Sequence, residues 1–411
     1  MSSPNILILL ADQHRASATG YGGNPDVRSP RLDRMAAEGL RMDGCVSIHP
    51  LCAPYRACFQ TGQPASVNGV YKNEDNLDRS LPTLPQLFRE QGYATAYFGK
   101  CHWHASIGKD SRYTPPEWRL GWQHWKGWQN GHADYDLPEF DEQGQRLHPH
   151  KGRFAPEVQS EQFLEWQEQQ SGPWIAQMNW GPPHNAGISE EDLEPLKAPS
   201  KQISDELGLG LQDQHFQTPW WWVQSFPQHL ITDVVPQPYL EHFDPEQLKI
   251  PENVHPDNRK LIGYQLREYY AQIEALDDVT AHILSSLDAR GDLENTIVIY
   301  TSDHGDWIGS DRDPEQNCRG KGGPSPESVR VPLLLQGPGI EGGRDLDMAI
   351  NTLDFLPSIC GLAGFDAGEG FPGEDLSPIL RGEKAPIQRV VEMGLYDWKS
   401  EFDGQDIRIV H

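Results

Sequence analysis

Apolar residues along this chain fall into two rhythms. Short unbroken runs, from Asn5 to Ala11, Tyr93 to Phe98, Trp174 to Trp180 and Thr296 to Thr301, have the length and the bounding turn residues of buried strands. The first two read as central strands of a sheet. Between the runs come stretches with helical punctuation. Pro30 to Glu38 has Ser29 at the N-cap, Pro30 at the first helical position and Gly39 as terminator, and Thr83 to Gln91 closes on Gly92 in the same way. From about Leu266 to Ala289, Tyr269, Ile273, Leu276, Ile283 and Leu287 share one face, with Gly291 just beyond the end. Strands and helices in alternation predict an α/β fold: a mostly parallel central sheet flanked by helices on both faces.

Every one of these strands runs into a polar cluster. The clusters are Asp12-Gln13-His14-Arg15, Gly99-Lys100-Cys101-His102, Gly181-Pro182-Pro183-His184-Asn185 and Ser302-Asp303-His304-Gly305-Asp306. In open parallel sheets ligands bind outside the carboxyl ends of the strands. One such cluster is most simply a solvated loop, but four at the same edge predict a shared site. Two long stretches with little periodicity, roughly 103–156 and 185–259, are expected to wall it. They carry Trp118, Trp122, Trp125 and Trp128, and then Trp220-Trp221-Trp222. These rings either stack on a sugar or aromatic ligand or pack the loops onto the domain.

Composition narrows the function. Of 411 residues, 39 are Gly and 34 Pro, so turns and irregular connections are abundant. With 34 basic and 60 acidic residues the formal charge is −26, which opposes nucleic acid and anionic membrane surfaces. No run approaches the roughly 18 apolar residues that span a bilayer. Met1 to Asn5 lacks the basic flank of a signal peptide, and Ile6 to Ala11 meets Asp12 at once, so a cytoplasmic protein is expected. The six cysteines form no C-x-x-C pair of the zinc-binding kind.

One cysteine stands apart. Leu51 to Gly62 starts in a loop and continues as a predicted helix, which puts Cys52 at a helix N-terminus. Free backbone N–H groups there favour an anion, and Arg56, one turn on, faces the same side. Taken alone, the segment also fits a small thiol packed in a helix.

Cys52-Ala53-Pro54-Tyr55-Arg56, with Thr61-Gly62 behind it, resembles the C-x-P-x-R signature of the formylglycine-dependent (type I) sulfatases, in the alkaline-phosphatase-like superfamily. Asp12-Gln13, Gly99 to His102, Pro183-His184, Asp303-His304-Gly305, and Lys321 before Val329-Arg330-Val331-Pro332 follow the family's landmarks in order. The likeness runs from Asn5 to about Pro332, and more weakly through 353–362 and 373–380.

The resemblance implies a sulfuric ester hydrolase acting on a small or carbohydrate sulfate. Cys52 would be oxidised by a formylglycine-generating maturation enzyme to an aldehyde, whose hydrate attacks sulfur. Asp12, Gln13, Asp303 and His304, beside the modified Cys52, would bind one divalent metal. Ca²⁺ is favoured, with Mn²⁺ possible because of the imidazole. Arg56 would hold the diol, and Lys100 and Lys321 would contact sulfate oxygens. His102 would act as base, and His184, with Lys321, would protonate the leaving oxygen. Asn73 matches a position near the sulfate.

The chain also departs from the pattern. Relatives more often carry Asp where Gln13 stands and Asn where His304 stands, and Tyr55 replaces a small residue, which is expected to shape the pocket. Residues 1–385 are expected to form the catalytic domain, and 386–411 the start of a short or truncated C-terminal subdomain. Two other readings stand beside this one: a phosphonate monoester or phosphodiester hydrolase of the same fold, and a non-catalytic glycan-binding homologue. The sequence does not speak to oligomeric state.

Overall fold

The apolar runs are strands and lie side by side. The structure, a computed structural model, describes all residues except 1–2, 107–109, 132–134, 136, 185–201, 203–204, 207, 209–234, 313–317, 397 and 411. Its main sheet contains β1 (Asn5–Asp12), β2 (Leu40–Met42), β3 (Ala94–Lys100), β4 (His124–Trp128), β5 (Trp174–Pro183), β6 (Thr296–Ser302), β7 (Leu333–Gln336) and β8 (Arg344–Leu346). The order across the sheet is β8-β2-β7-β6-β1-β5-β3-β4. β7 pairs antiparallel with β6 and β2, and every other pairing is parallel. β1, β5, β3 and β6 therefore all end at the same edge, where their polar clusters begin.

Alternate residues of the central strands feed two separate cores. Ile6, Ile8 and Leu10 of β1 pack with helices α2 (Cys52–Thr61), α3 (Leu84–Glu90) and α6 (Phe355–Ala363). Leu7, Leu9 and Ala11 face the other way, against α1 (Pro30–Glu38), α4 (Ala155–Gln167) and α5 (Arg259–Ala289). Both faces of the sheet are covered, as the unbroken apolar runs require.

Three details differ from the sequence reading. β3, expected to be central, lies one strand from the edge, with β4 outside it. β4 reads His-Trp-Lys-Gly-Trp and has no apolar run to announce it; Trp125 holds it by stacking on Tyr97 with centroids 4.9 Å apart. Trp122 and Trp128 are buried and Trp118 and Trp125 partly so, packed on the core, so this tryptophan group anchors loop to sheet, whereas Trp220-Trp221-Trp222 lie outside the described residues. The long helix starts at Arg259, seven residues earlier than expected, because Leu261 and Ile262 pack in a third core that includes Val235 and Val254.

Helix α1 begins as predicted, but Ser29 does not cap it with its side chain. Asp277 of α5 does so instead, taking the N–H groups of Arg31 and Leu32 at 2.8 Å each. Burial pushes that carboxyl up to about 7 even though both bonds pull it down.

After the main sheet come β9 (Val391–Leu395), β10 (Trp398–Phe402) and β11 (Ile407–Val410), a small antiparallel sheet. It packs through Val391, Met393 and Phe402 on Val46, Val329 and Ala349. It is also tied to the loop before α2: Gly394 N–H donates to Ile48 O at 2.8 Å, and the His49 ring bonds Gly394 O.

Gly99 and Gly92 both adopt left-handed φ, +104° and +82°, in different surroundings. A Cβ on Gly99 would lie 2.0 Å from Asn179 O, whereas one on Gly92 would meet nothing within 4 Å. Gly92→Ala is expected to cost about 1–2 kcal/mol in urea unfolding, from backbone strain alone. Gly99→Ala is expected to cost about 1–3 kcal/mol more, from the added clash. Equal losses would contradict the close approach of β3 and β5.

Candidate active site

Helix α2 is buried from Cys52 through Thr61 and stops at Gly62, whose φ of 62° suits a residue without Cβ. No side chain of its own caps the N-terminus; the Asn73 amide oxygen does, accepting from Ala53 N–H at 3.1 Å. Cys52 is thereby placed under the carboxyl ends of β1 and β6, 2% exposed. Its Sγ lies 3.3 Å from His304 Nε2 and 3.9 Å from Asp12 Oδ1.

Below it, Arg56 bridges two strand ends. Its Nη2 reaches Asp12 Oδ2 at 3.0 Å and Asp303 Oδ2 at 2.9 Å, its Nε also reaches Asp303, and its Nη1 donates to Lys100 O and Asn179 Oδ1. Lys100 Nζ adds a 2.8 Å bond to Asp12 Oδ2. The guanidinium is thus committed to the carboxylates, and Tyr55, expected to shape the pocket, turns into the core and stacks on Phe59.

This concentration of charge sets the ionisation of its members. Burial pushes the thiols of Cys58 and Cys101 up to about 12. Burial and Asp12 push Cys52 the same way, yet Lys100, Lys321 and His304 prevail and hold it well below the ordinary thiol value. Asp303 is pushed up by burial and by Asp12 beside it. His102, against Cys52, is lowered by burial in spite of that contact. His184 is driven down to about 3, by burial first and Lys321 next.

Lys321 Nζ lies 2.7 Å from His184 Nε2 and 2.7 Å from Gln13 Oε1. An ammonium can only donate, so His184 Nε2 accepts and the shared proton sits on Lys321. Of the candidate site residues, Asp12, Gln13, Cys52, Arg56, Lys100, His102, His184, Asp303, His304 and Lys321 join one network, and Asn73 meets it through the Ala53 N–H.

The Sulfatase family profile matches residues 4–365. The chain belongs to the sulfatase family. This sulfatase is 32% identical over 394 residues to the ulvan-active sulfatase of Formosa agariphila, covering 94% of the chain and 67% of that relative. It is 27% identical over 458 residues to the N-acetylglucosamine-6-O-sulfatase of Bacteroides thetaiotaomicron, covering 99% and 78%. A crystal structure of the YidJ protein of Bacteroides fragilis shares the fold, superposing with a TM-score of 0.76 at 23% identity, over 98% of this chain and 84% of that one. As a sulfatase the protein hydrolyses sulfuric esters.

The sulfatase has a donor set that fits a divalent cation. One oxygen each of Asp12 and Asp303, His304 Nε2 and Cys52 Sγ all lie within 4.8 Å of one another. Donors on opposite sides of a Ca²⁺ ion, each at about 2.3–2.6 Å, stand about 4.6–5.2 Å apart. His304 Nδ1 bonds Gly305 O at 3.0 Å; a carbonyl only accepts, so in the neutral ring Nε2 keeps its lone pair for a metal.

Sequence reading overlooked Asn179, Asp306, Arg319 and Tyr269. Asn179 is an ordinary polar residue within an apolar run, Tyr269 lies far from the motifs in sequence, and Arg319, two residues before Lys321, reads as part of a solvated glycine-rich loop. Asp306 stood inside a recognised cluster with nothing to separate it from a turn residue.

Replacing Arg56 by Met leaves Asp12 and Asp303 buried with one cation fewer. The expected loss is about 3–5 kcal/mol in denaturant unfolding without added metal, part of it recovered by millimolar Ca²⁺. Unchanged stability would mean the guanidinium is not what holds these carboxylates.

Proposed function

We propose that this sulfatase removes sulfate from a carbohydrate sulfate ester, with Cys52 supplying the nucleophile after conversion to formylglycine. The observation that carries the reading is the seat of Cys52: a helix N-terminus facing Lys100, Lys321, His102 and His304 at the common edge of four strands. The names of the curated relatives, active on ulvan and on N-acetylglucosamine 6-sulfate, support the substrate class. A maturation enzyme has to act on Cys52 before the buried site is complete.

Asp12, Asp303 and His304 would hold the divalent cation, with the Gln13 amide oxygen beside them; Ca²⁺ suits the oxygens and Mn²⁺ the imidazole. When bound, it supplies positive charge against the ester oxygens and the nucleophile. The chain's own groups perform the rest. Lys100 and Lys321 place positive charge where the sulfate oxygens sit, and Arg56 holds the two carboxylates in place. His102, neutral at working pH, is free to take a proton from the oxygen at position 52.

Departure of the alcohol requires a proton. Lys321 holds one in the resting pair, and His184, hydrogen-bonded to it, accepts. Lys321 is accordingly the proton reservoir and His184 its partner, which reverses the emphasis expected from sequence. The hydrolysis adds one water: the ester oxygen leaves with the proton as an alcohol, and sulfate is released.

In protein made alongside a competent maturation enzyme, the peptide containing residue 52 is expected to be lighter than its encoded mass. Cys52→Ala is expected to keep the fold and lose turnover, and full activity of that variant would remove the mechanism. Lys321→Ala is expected to slow both aryl sulfates through the charge lost at the sulfate oxygens, and phenyl sulfate by a further factor of about 10²–10⁴ over para-nitrophenyl sulfate, because only the poorer leaving group needs the acid. Faster turnover of matched phosphonate monoesters or phosphodiesters than of sulfates would reassign the enzyme to phosphorus chemistry.

A further inference from the structure

Gln13 has an unusual backbone. Its φ of 69° is left-handed without the excuse of glycine, a conformation that costs about 1–3 kcal/mol unless the surroundings impose it. The surroundings do. Its N–H donates to Asp303 Oδ1 at 3.0 Å, and its carbonyl accepts from the Tyr269 hydroxyl at 2.6 Å. Its side-chain Nε2 donates to Asp306 Oδ2, and its Oε1 accepts from Lys321.

An amide is a donor at one end and an acceptor at the other, and the two ends have nearly the same shape. Asp306 removes the ambiguity. It is fully buried and bonded to Arg319 Nε at 2.6 Å, and Arg319 also donates to Pro183 O and lies over the Tyr269 ring. A carboxylate in that company only accepts, so the NH₂ of Gln13 must face it and the oxygen must face Lys321. The same carboxylate takes Gly320 N–H at 3.0 Å and so holds the backbone next to Lys321. On the other side Gly322 N–H donates to Ser328 Oγ, and Gly322 O accepts from Trp398 Nε1.

We propose that Asp306 is a positioning residue for Lys321, acting on its ammonium through the Gln13 amide and on its backbone through Gly320. It touches no reacting atom. With Asn at position 306, the Gln13 amide is no longer held to one orientation and can turn its NH₂ toward the ammonium, donor against donor, and the Lys321–His184 pair loses its seat. The inference rests on the role of Lys321 proposed above, and goes beyond it by naming what aims that lysine.

The test uses the matured full-length enzyme and a series of aryl sulfates running from nitrophenol to unsubstituted phenol. Asp306→Asn is expected to steepen the dependence of kcat on leaving group. Phenyl sulfate should slow by about 10–100-fold, the size of a misplacement of about 1 Å, while para-nitrophenyl sulfate slows little. In a Lys321→Ala background the same substitution should add almost nothing to the slope, since both act on one proton.

A loss equal across leaving groups, or one that adds in full to that of Lys321→Ala, assigns Asp306 a purely structural role and overturns the inference. If Lys321→Ala itself leaves the slope unchanged, the proposed acid role falls with it. Should Asp306→Asn fail to fold, Gln13→Met, compared with the parent enzyme at saturating Ca²⁺ and equal metal content, leaves Asp306 its bonds to Arg319 and Gly320 yet removes the acceptor at Lys321. The same steepening is expected there, and an unchanged slope would overturn the relay.

Discussion

Two carboxylates share one guanidinium beneath the edge of a parallel sheet, and the rest of the site is arranged around that fact. Asp12 and Asp303 end neighbouring strands and are fully buried, so each must find positive charge or give up its own. Arg56 reaches both, and Lys100 reaches Asp12 from the next strand but one. Because Arg56 is one turn from Cys52 on α2, the ion pairs that relieve the carboxylates also fix the helix N-terminus against the strand ends. Electrostatic compensation and placement of Cys52 are the same set of bonds.

The same economy explains the second tier. Lys321 arrives on a glycine-rich loop whose composition suggests a solvated connection. It is instead held at Gly320 and Gly322, and its ammonium is shared by Gln13 and His184. The cost of this arrangement appears in the backbone, where Gln13 and His102 both take left-handed φ, and at Gln13 it is met by bonds to Asp303, Tyr269 and Asp306. Rigid strands supply the charges, and strained residues just past their ends aim them.

Much of this was legible in the sequence for a simple reason. A parallel strand buried on both faces must be an unbroken apolar run, and the groups that follow it must lie at one edge, so Asp12, Lys100, His184 and Asp303 announced themselves as a set. Cys52 and Arg56 were legible through a short motif at helical spacing. What was hidden is what depends on contacts remote in sequence. Asp277 caps a helix almost 250 positions away; Tyr269, in the middle of α5, holds the carbonyl of Gln13; Asp306 looks like any turn aspartate until Arg319 and Gln13 are beside it. Strand β4 was missed because stacking on Tyr97, rather than hydrophobic period, keeps it in the sheet. Tyr55 was misjudged because spacing along a helix gives a face but not whether that face meets core or cleft.

The central claim is spatial: a cation, an oxidised side chain at position 52 and a ring of positive groups meet above the sheet. Anomalous diffraction from crystals of the matured enzyme grown with Mn²⁺ tests it most directly. The account predicts a single strong peak between the Asp12 and Asp303 carboxylates and His304 Nε2, with residue 52 beside it and no sulfur in its side-chain density. A peak elsewhere, or an intact thiol at position 52 in an active preparation, would contradict it.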